Sequence, residues 1–179
     1  LGTIEPRKNL ETLLKAYNQF REKSDKKTPL VIVGGKGWKS ESFFKALEKH
    51  PFKKDIILPG YVDRDDLPAF YSQTTAFIYP SLYEGFGLPV LEAMSCGAPC
   101  IVSDNSSLPE VGGDAALYFE AKDADKLAAH LKSLAENDEK RGQLGIAALQ
   151  RAELFSWEKY AKEFVATLSP VSYTHLTLP

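Results

Sequence analysis

The chain has 179 residues and is nearly balanced in charge, with 22 Lys and Arg against 24 Asp and Glu and a formal net charge of −2. With 44% hydrophobic and 26% charged residues, it has the composition of one globular domain with a sizeable core, which excludes disordered and collagen-like structure. Its apolar runs are far shorter than the roughly 20 residues of a membrane-spanning helix. The small net charge provides no strong field for collecting nucleic acid, so nucleic acid is not an expected partner.

Short apolar segments alternate with helical patterns along most of the chain. The first helix is expected to begin at Asn9, which can cap it. Five apolar segments then fit buried strands: residues 30–33, 56–58, 76–79, 100–102 and 116–119. Helical patterns separate most of these strands, and three more follow them, around residues 127–134, around residues 144–149 and, capped by Ser156, at residues 157–168. Strands joined by helices need right-handed crossovers, so the sequence predicts a doubly wound, Rossmann-like α/β fold with a parallel sheet and further helices at the carboxyl end.

The two ends of the sequence differ from the part between them. Residues 1–169 contain no Gly/Ser-rich linker and are expected to form one domain, whose first residues fit the end of a strand that lacks its start. Residues 170–179, PVSYTHLTLP, show no periodicity and are predicted to be a non-native or disordered tail, such as a sequencing scar. Cys96 and Cys100 are too few for a disulfide framework and lack the His spacing of a zinc site, which favours a reducing, cytoplasmic compartment.

Ligands of parallel α/β sheets bind at the carboxyl ends of the strands. The most informative segment there is PSLYEGFGLPVLEA, residues 80–93, which leaves a strand and enters a helix. Gly85 and Gly87 allow a ligand to approach the backbone closely, and a helix N-terminus favours a phosphate. A Gly-x-Gly pattern alone fits an ordinary tight turn equally well.

Two carboxylates, Glu84 and Glu92, flank this turn. If the residues between them were helical they would lie ~12 Å apart, wider than the roughly 5–9.5 Å between the paired carboxylates of glycosidases. They fit better as acceptors for hydroxyls at two ends of one extended ligand, such as a diphosphate between two sugars. Arg7 and Lys8, on the first strand-to-helix turn, suit the phosphates, although alone they also fit a pair of surface cations.

The sequence resembles the carboxyl-terminal, nucleotide-sugar-binding half of retaining glycosyltransferases of family 4, the group 1 type with the GT-B fold. The strongest mark is the E-x7-E signature from Glu84 to Glu92, within PSLYEGFGLPVLEAMSCGAPCIVSD. The segments GTIEPRKN, VIVGGKGW and PGYVDRDDLPAFY support it, and the resemblance runs from residue 1 to about residue 168.

The resemblance implies roles for individual residues. Glu84 would contact hydroxyls of the donor sugar, and Glu92 would hold the ribose hydroxyls of the nucleotide. Lys8 would neutralise the diphosphate leaving group without a metal ion or other cofactor. Arg7 would assist it, but the family's arginine usually lies nearer residue 3, which leaves the geometric role of Arg7 open. The remaining expected donor-binding residues are Gly85, Phe86, Gly87 and Leu88 through their amides, Gly34 and Gly35 in a strand-end loop, and Tyr61 and Val62 near the nucleobase.

The resemblance further implies the donor half of a retaining, metal-independent hexosyltransferase. The PRKN and GGKGW segments are most similar to bacterial mannosyltransferases of surface-polysaccharide assembly, so GDP-mannose is the preferred donor and UDP-glucose the alternative. A glycan or lipid-linked acceptor would bind an amino-terminal domain absent here, so the fragment alone is expected to be inactive. We expect a cytoplasmic protein, with attachment to the inner face of the membrane left open. A non-catalytic nucleotide-sugar-binding module is the main rival, and a phosphorylase or epimerase is less favoured.

Overall fold

The structure is a computed structural model that describes residues 1–168, and it confirms the predicted Rossmann-like α/β class. Its elements in chain order are α1 (Leu10–Lys23), β1 (Leu30–Val33), α2 (Glu41–Glu48), β2 (Ile56–Gly60), α3 (Leu67–Ser72), β3 (Phe77–Tyr79), α4 (Leu88–Ser95), β4 (Cys100–Ser103), α5 (Leu108–Gly112), β5 (Ala116–Phe119), α6 (Ala124–Glu136), α7 (Asp138–Ala152) and α8 (Trp157–Leu168). Short 3-10 turns lie at Pro6–Lys8, Lys53–Asp55 and Gly113–Ala115. The prediction for residues 170–179 falls outside the described residues.

The strands form two parallel sheets. One contains β1 and β2, and the other contains β3, β4 and β5 in that order. All four residues of β4 are buried, as expected for a central strand of a parallel sheet that is covered on both faces. Ile101 packs into the core formed with α1 and α6, whereas Cys100 and Val102 pack into the core around α4. Because successive side chains of a strand point to opposite faces, helices cover both sides of β4 as the doubly wound prediction requires.

Residues 1–9 connect the two sheets at the carboxyl ends of their strands. The Gly2 and Ile4 amides donate to the carbonyls of Val33 and Gly35, both at 2.9 Å, and the Leu82 amide donates to the Arg7 carbonyl at 2.8 Å. Elsewhere a cleft of about 500 Å³, lined by β1, β3 and apolar side chains of α1, separates the sheets. Residues 1–9 therefore help to align the strand-end loops of the two sheets, together with the core that β1, β2, β4 and β5 share.

Asn9 has a different role from the predicted one. It lies in the left-handed region with φ 54°, and its side chain makes no capping hydrogen bond to α1, so the predicted cap is wrong. Its Nδ2 instead donates to the carbonyls of Pro80 and Ala121 at 2.9 and 2.6 Å. Asn is one of the few residues that adopt this backbone conformation readily. Ser156, by contrast, caps α8 as predicted, because its Oγ accepts from the Lys159 amide at 3.1 Å.

Replacement of Asn9 by alanine is expected to destabilise the domain for two reasons: hydrogen bonds are lost and the backbone is strained. Asn9→Ala removes three side-chain hydrogen bonds, the two to Pro80 and Ala121 and one that Asn9 Oδ1 accepts from the Thr12 hydroxyl at 2.8 Å. It also places a non-Gly, non-Asn residue in the left-handed region, so we expect the free energy of unfolding to fall by about 2–4 kcal/mol in urea denaturation. Asn9→Gly is the matched control, since it removes the same hydrogen bonds but tolerates the backbone conformation, and it should lose less. Equal stability of Asn9→Ala and wild type would contradict the bridging role.

Candidate functional site

The loop that follows β3 is held in one conformation by hydrogen bonds from the segment between β4 and α5. The Ser107 hydroxyl shares its one donor between the carbonyls of Glu84 and Phe86, at 3.1 and 2.8 Å, and the Glu84 amide donates to the Ser106 hydroxyl at 3.1 Å. Gly87 then turns into α4 with φ 103°, where a side chain would also crowd a leucine methyl group at 2.8 Å. The predicted G-x-G turn is therefore a rigid entry to a helix.

The outer side of this loop is accessible. A side-chain carbon built on Gly85 would have no neighbour within 4 Å, and the side chains of Phe86 and Leu88 are exposed. These residues lie directly before and at the start of α4. Space for a ligand therefore lies beside the backbone of residues 85–88, which the sequence analysis predicted to bind the donor.

An ion cluster joins this loop to residues 1–9. Oε1 of Glu84 lies 2.7 Å from Lys8 Nζ and 2.8 Å from Arg7 Nη1. The Lys8 and Glu84 side chains are only 12% and 11% exposed. The structure thus brings together the three residues predicted to be catalytic, although Glu84 lies more than 70 positions after Arg7 and Lys8 in the sequence.

Lys8 has a further partner that sequence reasoning missed. Its Nζ donates to the Tyr79 hydroxyl at 2.6 Å and lies 4.6 Å from the centre of that ring. Tyr79 is buried, and burial together with the charge of Glu84 raises its pKa, so it remains a neutral phenol. In the sequence, Tyr79 has only the pattern of a core strand residue, because Tyr is common in strands.

Arg7 is held by Glu84, as described above, and by two further groups. Its Nη1 donates to the Tyr83 carbonyl at 2.9 Å, and its Nη2 and Nε donate to Glu5 Oε1 at 2.7 and 3.1 Å. The other oxygen of Glu5 accepts from the Trp38 indole at 2.8 Å. Arg7 therefore lies against the same loop as Lys8, with an acidic neighbour that the sequence analysis did not assign.

The electrostatic balance keeps Glu84 ionised. Burial by itself would raise the pKa of this carboxyl, but hydrogen bonds from Lys8 and Arg7 outweigh burial and lower the pKa below its ordinary value. Glu84 is therefore a carboxylate at neutral pH and accepts hydrogen bonds only.

Glu92 lies on α4 and is held separately from the ion cluster. The buried Tyr71 hydroxyl, on α3, donates to its Oε2 at 2.8 Å. Glu84 and Glu92 thus have different partners, which agrees with the expectation that they do not act as one acid/base pair.

The remaining predicted residues border the same edge. The Gly34 amide donates to the Gly60 carbonyl at 2.8 Å, and Gly34 has φ 143°. A side chain on Gly34 would overlap the Gly2 carbonyl, whereas Gly35 has open space beside it. Tyr61 and Val62 follow β2 directly, and Tyr61 is 80% exposed.

The described residues 1–168 contain neither a cluster of metal-ligating side chains nor a membrane-spanning helix. In that range no three His, Cys, Asp or Glu side chains gather in a way that could hold a metal ion. No helix of the described range has the length and apolar character needed to cross a membrane.

The family model "Glycosyl transferases group 1" matches residues 1–151, which is most of the chain. The chain belongs to the group 1 glycosyltransferases.

Relatives within this glycosyltransferase family include bacterial mannosyltransferases. The chain is 42% identical over 158 residues to the O-antigen chain mannosyltransferase B of Escherichia coli, covering 88% of this chain and 42% of that protein. It is 34% identical over 163 residues to the serotype-specific mannosyltransferase WbdA of Escherichia coli, covering 90% of this chain and 20% of that one. The chain thus spans less than half the length of these curated relatives.

Solved structures share the fold of this glycosyltransferase domain. Sucrose-phosphate synthase from Thermosynechococcus elongatus matches with a TM-score of 0.83 at 24% identity, over 97% of this chain and 45% of that chain. Anabaena HepE, solved in complex with UDP and glucose, matches with a TM-score of 0.81 at 19% identity, over 94% and 47% of the two chains. Together with the family match, these neighbours confirm the expected Rossmann-like half of a GT-B glycosyltransferase.

Removal of Lys8 is expected to change the titration of Glu84. Lys8→Met deletes the ammonium group and leaves the carboxyl with burial and Arg7, so the pKa of Glu84 should rise. In wild type, the low folded-state pKa contributes stability that is present above the unfolded pKa and is lost as pH falls through the folded value. In Lys8→Met this contribution should be smaller and should be lost at a higher pH, as followed by carboxyl 13C NMR and by unfolding at several pH values.

Lys53→Met is the matched control for the Lys8 experiment. It removes a lysine from an exposed pair with Glu48 at 2.7 Å, and such pairs contribute little. An unchanged Glu84 titration in Lys8→Met would show that Lys8 does not set the charge state of Glu84.

Proposed function

We propose that this domain binds a nucleotide diphosphate sugar and is the donor half of a hexosyltransferase. The observation that carries the proposal is the contact of Glu84 with Lys8 and Arg7, on the open loop that leads into α4. This loop and the two cations offer a diphosphate its preferred surroundings, a helix N-terminus and charged donors. The carboxylate beside them offers acceptors for sugar hydroxyls.

The two glutamates are proposed to hold the two sugars of the donor. Glu84, next to the cations, accepts from hydroxyls of the transferred sugar. Glu92, farther along α4 and bonded to Tyr71, accepts from the ribose hydroxyls. Tyr61 and Val62 lie at the end of β2, where the nucleobase is proposed to bind mainly through the backbone.

Mannose from GDP-mannose is the preferred donor. Two relatives that share 42% and 34% identity with this chain are named mannosyltransferases. UDP-glucose remains the alternative, because the fold neighbour HepE was solved with UDP and glucose. The name of the 42% identical relative, an O-antigen chain enzyme, supports a glycan or lipid-linked acceptor, and we assign acceptor binding to a part of the longer enzyme outside these residues.

The proposed transfer proceeds with retention and without a metal ion. As the bond between the anomeric carbon and the phosphate breaks, negative charge develops on the diphosphate. Lys8, Arg7 and the amides at the start of α4 stabilise that charge, which is the kind of preorganised electrostatic stabilisation that dominates many enzymes. Glu84 holds the sugar ring in place through its hydroxyls.

Calorimetry on this chain tests the donor assignment. We expect GDP and GDP-mannose to bind more tightly than the UDP, ADP and glucose counterparts. Glu92→Ala should weaken nucleotide binding at least tenfold, since hydrogen bonds to a charged group are worth about 1.5–3 kcal/mol each. Glu158→Ala is the control, because it removes one carboxylate from an exposed pair with Lys162 on α8.

Four results would contradict parts of this assignment. Absence of binding by every nucleotide would exclude the proposed function, and wild-type affinity in Glu92→Ala would exclude the ribose role of Glu92. Tighter binding of UDP-glucose would replace mannose with the alternative donor. A domain that binds nucleotide sugars while the longer protein transfers none would favour the non-catalytic module.

The same calorimetry tests whether binding of the donor requires a metal ion. Because Lys8 and Arg7 are proposed to neutralise the diphosphate, EDTA should leave the affinity for GDP-mannose unchanged. A strict requirement for added Mg²⁺ would contradict the metal-independent mechanism.

A further inference from the structure

Tyr71 lies outside the signature segment and makes one specific polar contact. It is 4% exposed on α3, and its hydroxyl donates to Glu92 Oε2 at 2.8 Å. It is the last residue of the segment PGYVDRDDLPAFY, and the sequence analysis assigned it no role. The hydroxyl therefore connects a buried core side chain to one of the two glutamates of the site.

The orientation of this hydroxyl is well defined. The Tyr71 ring packs edge-on against Phe77 of β3, with centres 5.3 Å apart and an angle of 74°. Burial and the neighbouring Glu92 raise the pKa of Tyr71, so the phenol keeps its proton and donates a hydrogen bond to the carboxylate. Glu92 thus has a fixed donor on one of its two oxygens.

A carboxylate that receives one fixed hydrogen bond loses its freedom to rotate. An ionised carboxyl has about four lone-pair sites, and Tyr71 occupies one of those on Oε2. The remaining sites then point in fixed directions, as binding of two adjacent hydroxyls requires. Such preorganisation lowers the entropy lost on binding.

We propose that Tyr71 is a positioning residue that orients Glu92 for the 2′ and 3′ hydroxyls of a ribonucleotide. This inference rests on the proposed function and adds to it a determinant of the preference for ribose. Tyr71 acts through Glu92 and does not itself contact the donor. Its removal should therefore affect ligands that carry the two hydroxyls and spare ligands that lack them.

The test compares GDP with 2′,3′-dideoxy-GDP by calorimetry, or the UDP pair if UDP binds more tightly. Wild type should prefer the ribonucleotide. Tyr71→Phe, which deletes only the hydroxyl, should weaken GDP binding about tenfold and dideoxy-GDP binding less than twofold. The control is Tyr118→Phe, which removes another part-buried tyrosine hydroxyl, one that donates to the Gly113 carbonyl at 2.7 Å, and it should leave both affinities unchanged.

The possible outcomes separate this inference from the proposed function. If wild type prefers GDP and Tyr71→Phe keeps that preference, or loses affinity equally for both ligands, Tyr71 is structural only and the inference is wrong. If wild type binds both ligands equally, the ribose role of Glu92 is wrong and the inference falls with it. If wild type binds neither, the proposed function itself is wrong.

A second variant covers the case in which Tyr71→Phe does not fold. Glu92→Asp keeps the charge but withdraws the carboxylate by one methylene from Tyr71. It should lose most of the preference for GDP over dideoxy-GDP while dideoxy-GDP still binds. An undiminished preference in Glu92→Asp would contradict an oriented carboxylate.

Discussion

The contact of one carboxylate with two cations is the interaction on which both the fold and the site depend. Glu84 comes from the loop after β3, whereas Lys8 and Arg7 come from residues 1–9, and Glu84 and Lys8 are largely buried. Removal of Glu84 would leave the largely buried Lys8 ammonium without an ionic partner, which typically costs several kcal/mol. Residues 1–9 also join the two sheets through backbone hydrogen bonds. The ion cluster therefore lies where residues 1–9 join the two sheets, and it forms the centre of the candidate site.

Neutral buried groups hold the charged ones in place. Tyr79 supports Lys8 from the end of β3, and Tyr71 supports Glu92 from α3. The pKa of each tyrosine is raised, so both stay uncharged beside their ionic partners. Ser107 fixes the backbone of the loop between the two glutamates. Each glutamate of the signature is thus linked to a different buried tyrosine: Glu84 through Lys8 to Tyr79 of β3, and Glu92 directly to Tyr71 of α3.

The sequence predicted features that depend on local patterns. The five strands were recognisable because short apolar runs fit buried parallel strands, and the run at 100–102 indeed forms the fully buried β4. The positions of Glu84 and Glu92 could be assigned because their spacing and the glycines between them form a specific signature. Ser156 was correctly identified as a cap because its partner lies three residues away.

Features that depend on distant partners could not be predicted. Asn9 matches the pattern of a cap, but its amide reaches carbonyls 71 and 112 positions away. The division of the strands into two sheets depends equally on pairing between distant segments. Tyr71 has the same local signature as any buried aromatic residue, and its contact with Glu92 exists only after α3 packs on α4. The five-residue helix α5 is too short to show a helical period.

The charged side chains of the site neutralise one another, which shapes how a donor can bind under the proposed function. A diphosphate that binds Lys8 and Arg7 must compete with Glu84, which forms ion pairs with both cations. A nucleoside diphosphate alone would leave the Glu84 carboxylate partly buried with weakened partners, which is unfavourable. A donor that also carries a sugar offers Glu84 new hydroxyl donors in exchange. Under the proposed function, the carboxylate that neutralises the cations would therefore couple diphosphate binding to sugar binding.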